Sequence, residues 1–103
     1  MKFVLAYTTR EGSDAEDNLK SAESAQKLIA NWTPSPNANI TEWVQRVDGD
    51  GGFCVMDTDN AKDMFRDLAV WSPWLKFDVY PVLDILDASP ITDEAIHIAS
   101  SVL

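Results

Sequence analysis

With 103 residues, the chain has room for one domain and one core, and folding at this size hides roughly two thirds of the unfolded surface. A hydrophobic fraction of 46% with a charged fraction of 24% excludes disordered and low-complexity classes. A net charge of −9 excludes nucleic acid as a partner, because phosphate backbones are held by clustered Lys and Arg, and it opposes docking on anionic membranes.

The acidity reads as a solvated surface that keeps the protein dispersed. The single cysteine, Cys54, rules out an internal disulfide and fits a reducing compartment. The apolar run from Met1 to Tyr7 is too short for a signal peptide, and it ends at Thr8-Thr9-Arg10-Glu11 without a small-residue cleavage site. No stretch approaches the roughly 20 apolar residues of a membrane span. The expectation is a cytoplasmic protein, one domain over residues 1–103, with no membrane partner.

Phe3 to Thr8 is rich in β-formers and predicts a strand buried on both faces. Ser13-Asp14-Ala15-Glu16 has the form of a capping box, with Ser13 at the cap and Glu16 reaching back. A helix follows, whose Ala15, Leu19, Ala22, Ala25, Leu28, Ile29 and Trp32 recur at three- and four-residue spacing. Pro34 and Pro36 stop it, since proline lacks the amide proton and disfavours helix in the residue before it.

Ile40 to Val47 and Gly52 to Asp57 read as two strands joined by Asp48-Gly49-Asp50-Gly51, because Gly and Asp tolerate the positive φ of tight hairpins. Alternation across that turn puts Trp43, Gln45 and Val47 on one face with Cys54 and Met56, and Ile40, Val44, Phe53 and Val55 on the other. Both faces are largely apolar, so each needs a cover.

Asp57-Thr58-Asp59 offers caps for a second helix, with Ala61, Met64, Phe65, Leu68 and Trp71 as its apolar stripe. Lys76 to Ile85 predicts a fourth strand in which Pro81 favours an edge position. Ser89-Pro90 predicts the opening of a short last helix with proline at its first position and Ile91, Ala95, Ile98 and Val102 as its stripe.

This order gives an α+β fold: a ferredoxin-like βαββαβ unit with a C-terminal helix, both main helices on one face of a four-stranded antiparallel sheet. By the same alternation Trp43, Val47, Cys54, Met56, Tyr80 and Val82 fall on the uncovered face. Soluble monomers seldom expose such an apolar patch, so the expected partner is a second copy of the chain, packed sheet against sheet.

Lys2-Phe3 at the strand start, Asp48 to Phe53 at the hairpin, Val55 with Asp57-Thr58-Asp59, Trp71 near the helix end and Pro81-Val82-Leu83-Asp84 together carry a family resemblance. They resemble a family of bacterial proteins of about a hundred residues, catalogued as a domain of unknown function in the dimeric α/β-barrel superfamily. The resemblance covers nearly the whole chain and implies a dimeric α/β-barrel. Its motifs are a turn, a cap and a core pattern, so it implies no activity of its own.

His97 has Asp93 and Glu94 three and four residues before it, the spacing of a one-histidine, two-carboxylate site, but a helix-surface histidine is the ordinary reading. Cys54 has apolar neighbours and no base nearby, so it reads as a packed thiol rather than a nucleophile. No triad, phosphate loop or zinc spacing is present, and the sequence predicts no catalytic group, metal or cofactor.

The candidate ligand-binding set is Trp43, Gln45, Cys54, Met56 and Tyr80, a mostly apolar wall with two polar handles. The expected function is a homodimer that binds a small apolar or aromatic molecule between sheet faces. The alternative follows from the resemblance: an enzyme similar to cofactor-independent monooxygenases, with Trp43 and Tyr80 orienting an aromatic substrate and Gln45 or Arg46 steadying developing charge.

Overall fold

The computed structural model describes residues 1–103. Seven elements follow one another: β1 (Lys2–Thr9), α1 (Ala15–Asn31), β2 (Asn39–Gln45), β3 (Gly52–Asp57), α2 (Ala61–Trp71), β4 (Leu75–Val82) and α3 (Ile85–Ser100). The strands form one sheet in the spatial order β2-β3-β1-β4, with all three neighbouring pairs antiparallel. Each main helix therefore joins two parallel strands that have one antiparallel strand between them, which is the ferredoxin-like arrangement. Pro81 is tolerated because β4 lies at the sheet edge.

The hairpin turn is built as its composition demands. Gly49 and Gly51 take φ of 78° and 116°, which L side chains rarely adopt. The Arg46 amide donates to the Gly51 carbonyl at 2.7 Å, and the Asp50 amide to the Asp48 carboxylate at 3.0 Å. That amide holds the Asp48 carboxyl below the usual carboxylate range, and the Arg46 guanidinium paired with it adds to the effect. Gly52 has a second reason to lack a side chain: a Cβ there would stand 2.0 Å from the Val44 carbonyl oxygen and 2.5 Å from the Tyr7 hydroxyl.

The pairing register decides the faces. Leu5 lies opposite Cys54 and Val79, Phe3 opposite Met56 and Pro81, and Tyr7 opposite Gly52 and Phe77. Directly opposed residues share a face. Met64 and Leu68 of α2 pack on Leu5, Cys54 and Met56, while Ala25 and Leu28 of α1 pack beside Tyr7, Trp71 and Leu75. The covered face thus carries Phe3, Leu5, Tyr7, Cys54, Met56 and Phe77.

Cys54, Met56 and Trp43 are therefore under the helices, not on the uncovered face where alternation with Tyr80 and Val82 had put them. Alternation within one hairpin links β2 to β3, but β1 separates β3 from β4, so no local pattern ties the two parities together. Val44, Phe53 and Val55 change face in the opposite sense, while Ile40, expected beside them, stays under the helices. The register shifts between Ile40 and Glu42, and this irregularity brings Ile40 opposite Met56 on the covered side.

The helices depart from expectation at their ends. Asp14, not Ser13, caps α1: its carboxylate accepts from the Asp17 amide at 2.8 Å, and the Ser13 hydroxyl donates to the Asp17 carboxylate instead. Asn60 caps α2, accepting from the Asp63 amide at 3.2 Å. Behind α2, buried Asp67 accepts from the Ser35 amide at 3.1 Å and its hydroxyl at 2.8 Å, tying down the turn between the two prolines.

The largest difference is α3. It begins at Ile85, five residues before Pro90, so the proline lies inside the helix rather than in its first turn. No α3 residue is buried, and Ile85, Leu86, Ile91, Ile96 and Ile98 are all exposed. The molecule measures 62 × 30 × 21 Å, far longer than a compact chain of this length. No helix is long and apolar enough to cross a membrane.

Candidate functional site

Four indoles meet at one end of the covered face. Trp32 ends α1, Trp71 ends α2, Trp74 follows it, and Trp43 projects from β2 opposite Cys54. Ring centroids lie 5.5 Å apart for Trp43–Trp71, 5.6 Å for Trp32–Trp71, 5.8 Å for Trp32–Trp43 and 6.2 Å for Trp71–Trp74, all edge-to-face. In that geometry the positive rim of one ring meets the negative face of another. Both helices supply an indole from their C-terminal ends, Trp32 just past α1 and Trp71 at the last residue of α2.

Beside the cluster, between α1 and the edge formed by β2 and the hairpin, lies an open cavity of about 510 Å³. Tyr7 and Trp71 line it from the core, Trp43 and Gln45 from β2, and Ala25 and Ile29 from α1. None of its lining residues is charged. Deeper in, a void of about 30 Å³ is walled by Trp43, Cys54, Met56 and Trp71 among others.

Of the five predicted ligand-binding residues, four share the covered face. Trp43 borders both spaces, Gln45 the outer cavity, and Cys54 and Met56 the inner void. Tyr80 stands apart. It lies opposite Val4, on the other side of the sheet, and is 53% exposed.

Polar groups around the cavity are mostly committed. The Tyr7 hydroxyl donates to the Val44 carbonyl at 2.9 Å and lies 3.4 Å from Gln45 Oε1. Burial pushes this phenol above its ordinary range, while the Trp43 indole pulls the other way. Burial also pushes the Cys54 thiol up to about 11, and the charge of Asp67 adds to the rise. Cys54 is therefore an un-ionised thiol at neutral pH and a poor nucleophile.

Two buried polar atoms lack a partner: Nε1 of Trp71 in the cluster and, away from it, Oδ2 of Asp63. The sequence signal for Trp71 and Trp32 was their place at the ends of apolar stripes, which reads as core. Only the register, by bringing Trp43 beneath them, turns the three into a wall. Tyr7 has no sequence signal beyond its place at the end of an apolar, strand-forming run.

Elsewhere, Arg46 is held in the hairpin by Asp48 and lies outside the cavity. His97 lies on exposed α3, and no group of three His, Cys, Asp or Glu side chains converges in a way that could hold a metal ion. Comparison with curated proteins gives no match. The family model for the domain of unknown function DUF3303 matches residues 1–96, and the chain belongs to that family.

Proposed function

We propose that the protein works as a homodimer, paired through the uncovered sheet faces and clasped by α3, that binds a small apolar or aromatic molecule without performing chemistry on it. The observation that carries the dimer is the unpartnered apolar surface. On the uncovered face Val4 lies opposite Val55 and Tyr80, and Phe53 opposite Ala6 and Val44. Phe53 and Val44 are each 47% exposed. The same face carries Glu42 opposite Val55 and Asp78 opposite Ala6, so the proposed contact centres on Val4, Val44, Phe53 and Val55, with an identical sheet as its partner.

Size argues for α3 as part of the same contact. Four strands about 4.8 Å apart and about 20 Å long present roughly 400 Å² in plan. A stable interface hides about 800 Å² per partner. A 16-residue helix adds a surface about 24 Å long and about 10 Å wide, and the apolar side chains of α3 make it suited to a partner's flank.

Sedimentation equilibrium tests this. The expected mass is twice that of one chain at micromolar concentration, falling to one chain in Phe53→Lys and in a variant shortened after Asp84. A monomer at every concentration up to 100-fold above that range would sink the proposal.

The small-molecule part keeps Trp43 and Gln45 as ligand contacts but moves them to the cavity beneath α1, because Tyr80 is on the far side of the sheet. Cys54 and Met56 stay as the floor of the inner void. The monooxygenase alternative keeps Trp43 and Gln45 at the cavity but loses Arg46, which is bound to Asp48, and Tyr80, which lies on the far side of the sheet.

A further inference from the structure

Helix α3 shows solvent an apolar stripe with acids along one border. Ala88, Ile91, Ala95 and Ile98 recur at alternating three- and four-residue spacing, so they share one side of the helix. Asp87 and Glu94, seven residues apart, border that stripe, and the helix holds no Lys or Arg. Lys2 pairs with Asp84 where α3 leaves the body, and no α3 residue is buried against its own chain. The stripe lacks a cover within the molecule.

The outer side of α2 is its complement. While Met64 and Leu68 pack on the sheet, Ala61, Phe65 and Ala69, at four-residue spacing, form an exposed strip on the opposite side, with Phe65 73% exposed. Lys62 and Arg66 run along one border of that strip, and Lys62 takes part in none of the chain's ion pairs. The acids of α2 are turned inward: Asp63 and Asp67 are buried, and Asp67 accepts from the Ser35 hydroxyl at 2.8 Å.

We infer that α3 of one copy docks along the outer strip of α2 in a second copy, its apolar stripe on Phe65 and its acids, Glu94 foremost, against Lys62 and Arg66. This rests on the homodimer reading and names the surface that α3 clasps, but it does not depend on any small molecule. Charge chooses this surface over the others. The uncovered sheet face carries Glu42 and Asp78, which repel the acids of α3, and α1 mixes exposed Glu16, Asp17 and Glu23 with its two lysines. Among these surfaces, α2 alone presents cations without exposed acids.

Reach and area agree with this placement. A helix of 16 residues is about 24 Å long, whereas a packed sheet adds about 10 Å and a helix behind it about 10 Å more, so α3 extends past the partner's sheet to its helix layer. The exchange is reciprocal under two-fold symmetry, so each copy hides both its α3 stripe and its α2 strip. Together they bring the roughly 400 Å² of sheet close to the roughly 800 Å² that a stable partner hides.

Sedimentation equilibrium of the full chain at low ionic strength reads the dimer constant. Lys62→Glu is expected to weaken the dimer about tenfold and Glu94→Lys about as much, while both changes in one chain restore it to within about threefold, because the swapped charges again attract. Phe65→Ala is expected to weaken it at least about tenfold. All three positions are exposed, so the unfolding midpoint of dilute monomer stays unchanged, which separates lost docking from lost fold. A dimer constant that ignores Lys62→Glu and Phe65→Ala, yet collapses in Phe53→Lys, would overturn the docking and leave the sheet-to-sheet dimer standing. Weakening without rescue in the double variant would overturn it too. If Phe65→Ala instead destabilises dilute monomer as much as removing residues 85–103 does, α3 folds back on its own chain and the inference fails. A chain that stays monomeric throughout removes both readings.

Discussion

The two faces of the sheet differ both in their residues and in their fates. On the covered side Leu5 is 1% and Met56 2% exposed, locked under α2. On the other side Val4, Val55, Phe53 and Tyr80 share the surface with Lys2, Glu42 and Asp78, nothing in the chain lies over them, and α3 leaves the body without covering them. Alternation alone does not make a core. What does is the crossover handedness, which sends α1 and α2 to one side, and the capped, proline-bounded lengths that end them there.

The largest expected effect comes from substituting neighbours on β1. Leu5→Ala removes a fully buried side chain and should cost about 2–5 kcal/mol in urea unfolding at any protein concentration. Val4→Ala, half-buried and facing the other way, should cost under about 1 kcal/mol in dilute protein. Its cost should grow as concentration rises and the second copy covers the face. Equal costs at the lowest concentration would mean that the faces are not distinct.

Next in size is the pH dependence of the covered face. With its folded pKa raised to about 11 from an ordinary 9.0, the Cys54 thiol stays neutral in the fold while the unfolded chain ionises from pH 9. Its contribution is complete below pH 9 and is lost as pH climbs to 11, up to about 2–3 kcal/mol in total. Tyr7, also raised by burial, adds a fall of the same sign. Cys54→Ala should therefore unfold along a flatter curve between pH 9 and 11, and parallel curves would show that the thiol is not sealed.

The order of strands and helices, the hairpin and the edge position of Pro81 were legible because each rests on local chemistry: glycines at positive φ, stripes at helical spacing, a missing amide proton. The assignment of faces was not. Trp43 and Tyr80 are equivalent in alternation, yet they sit on strands separated by β3 and β1, and the link between them exists only once those strands pair. The irregularity at Ile40 has no marker in the sequence, since Thr41 is an ordinary strand residue. Pro90 misled for a physical reason too. Proline favours a first helical turn, but an exposed helix can absorb the one backbone bond it removes.

The smallest effect concerns the helix that closes the cavity. α1 buries none of its residues, so its stability leans on its ends more than that of α2, which buries Trp71. Asp14→Ala deletes the acceptor for the Asp17 amide and leaves a negative charge missing at the positive end of the helix dipole. The expected cost is about 1 kcal/mol. Hydrogen exchange locates it: amides in the first two turns of α1 should lose protection while those of β1 and β3 keep theirs, and Asp14→Asn should restore most of it. Loss spread evenly over sheet and helix would mean that α1 and the sheet open together, with the cavity wall belonging to the core rather than lying loosely over it.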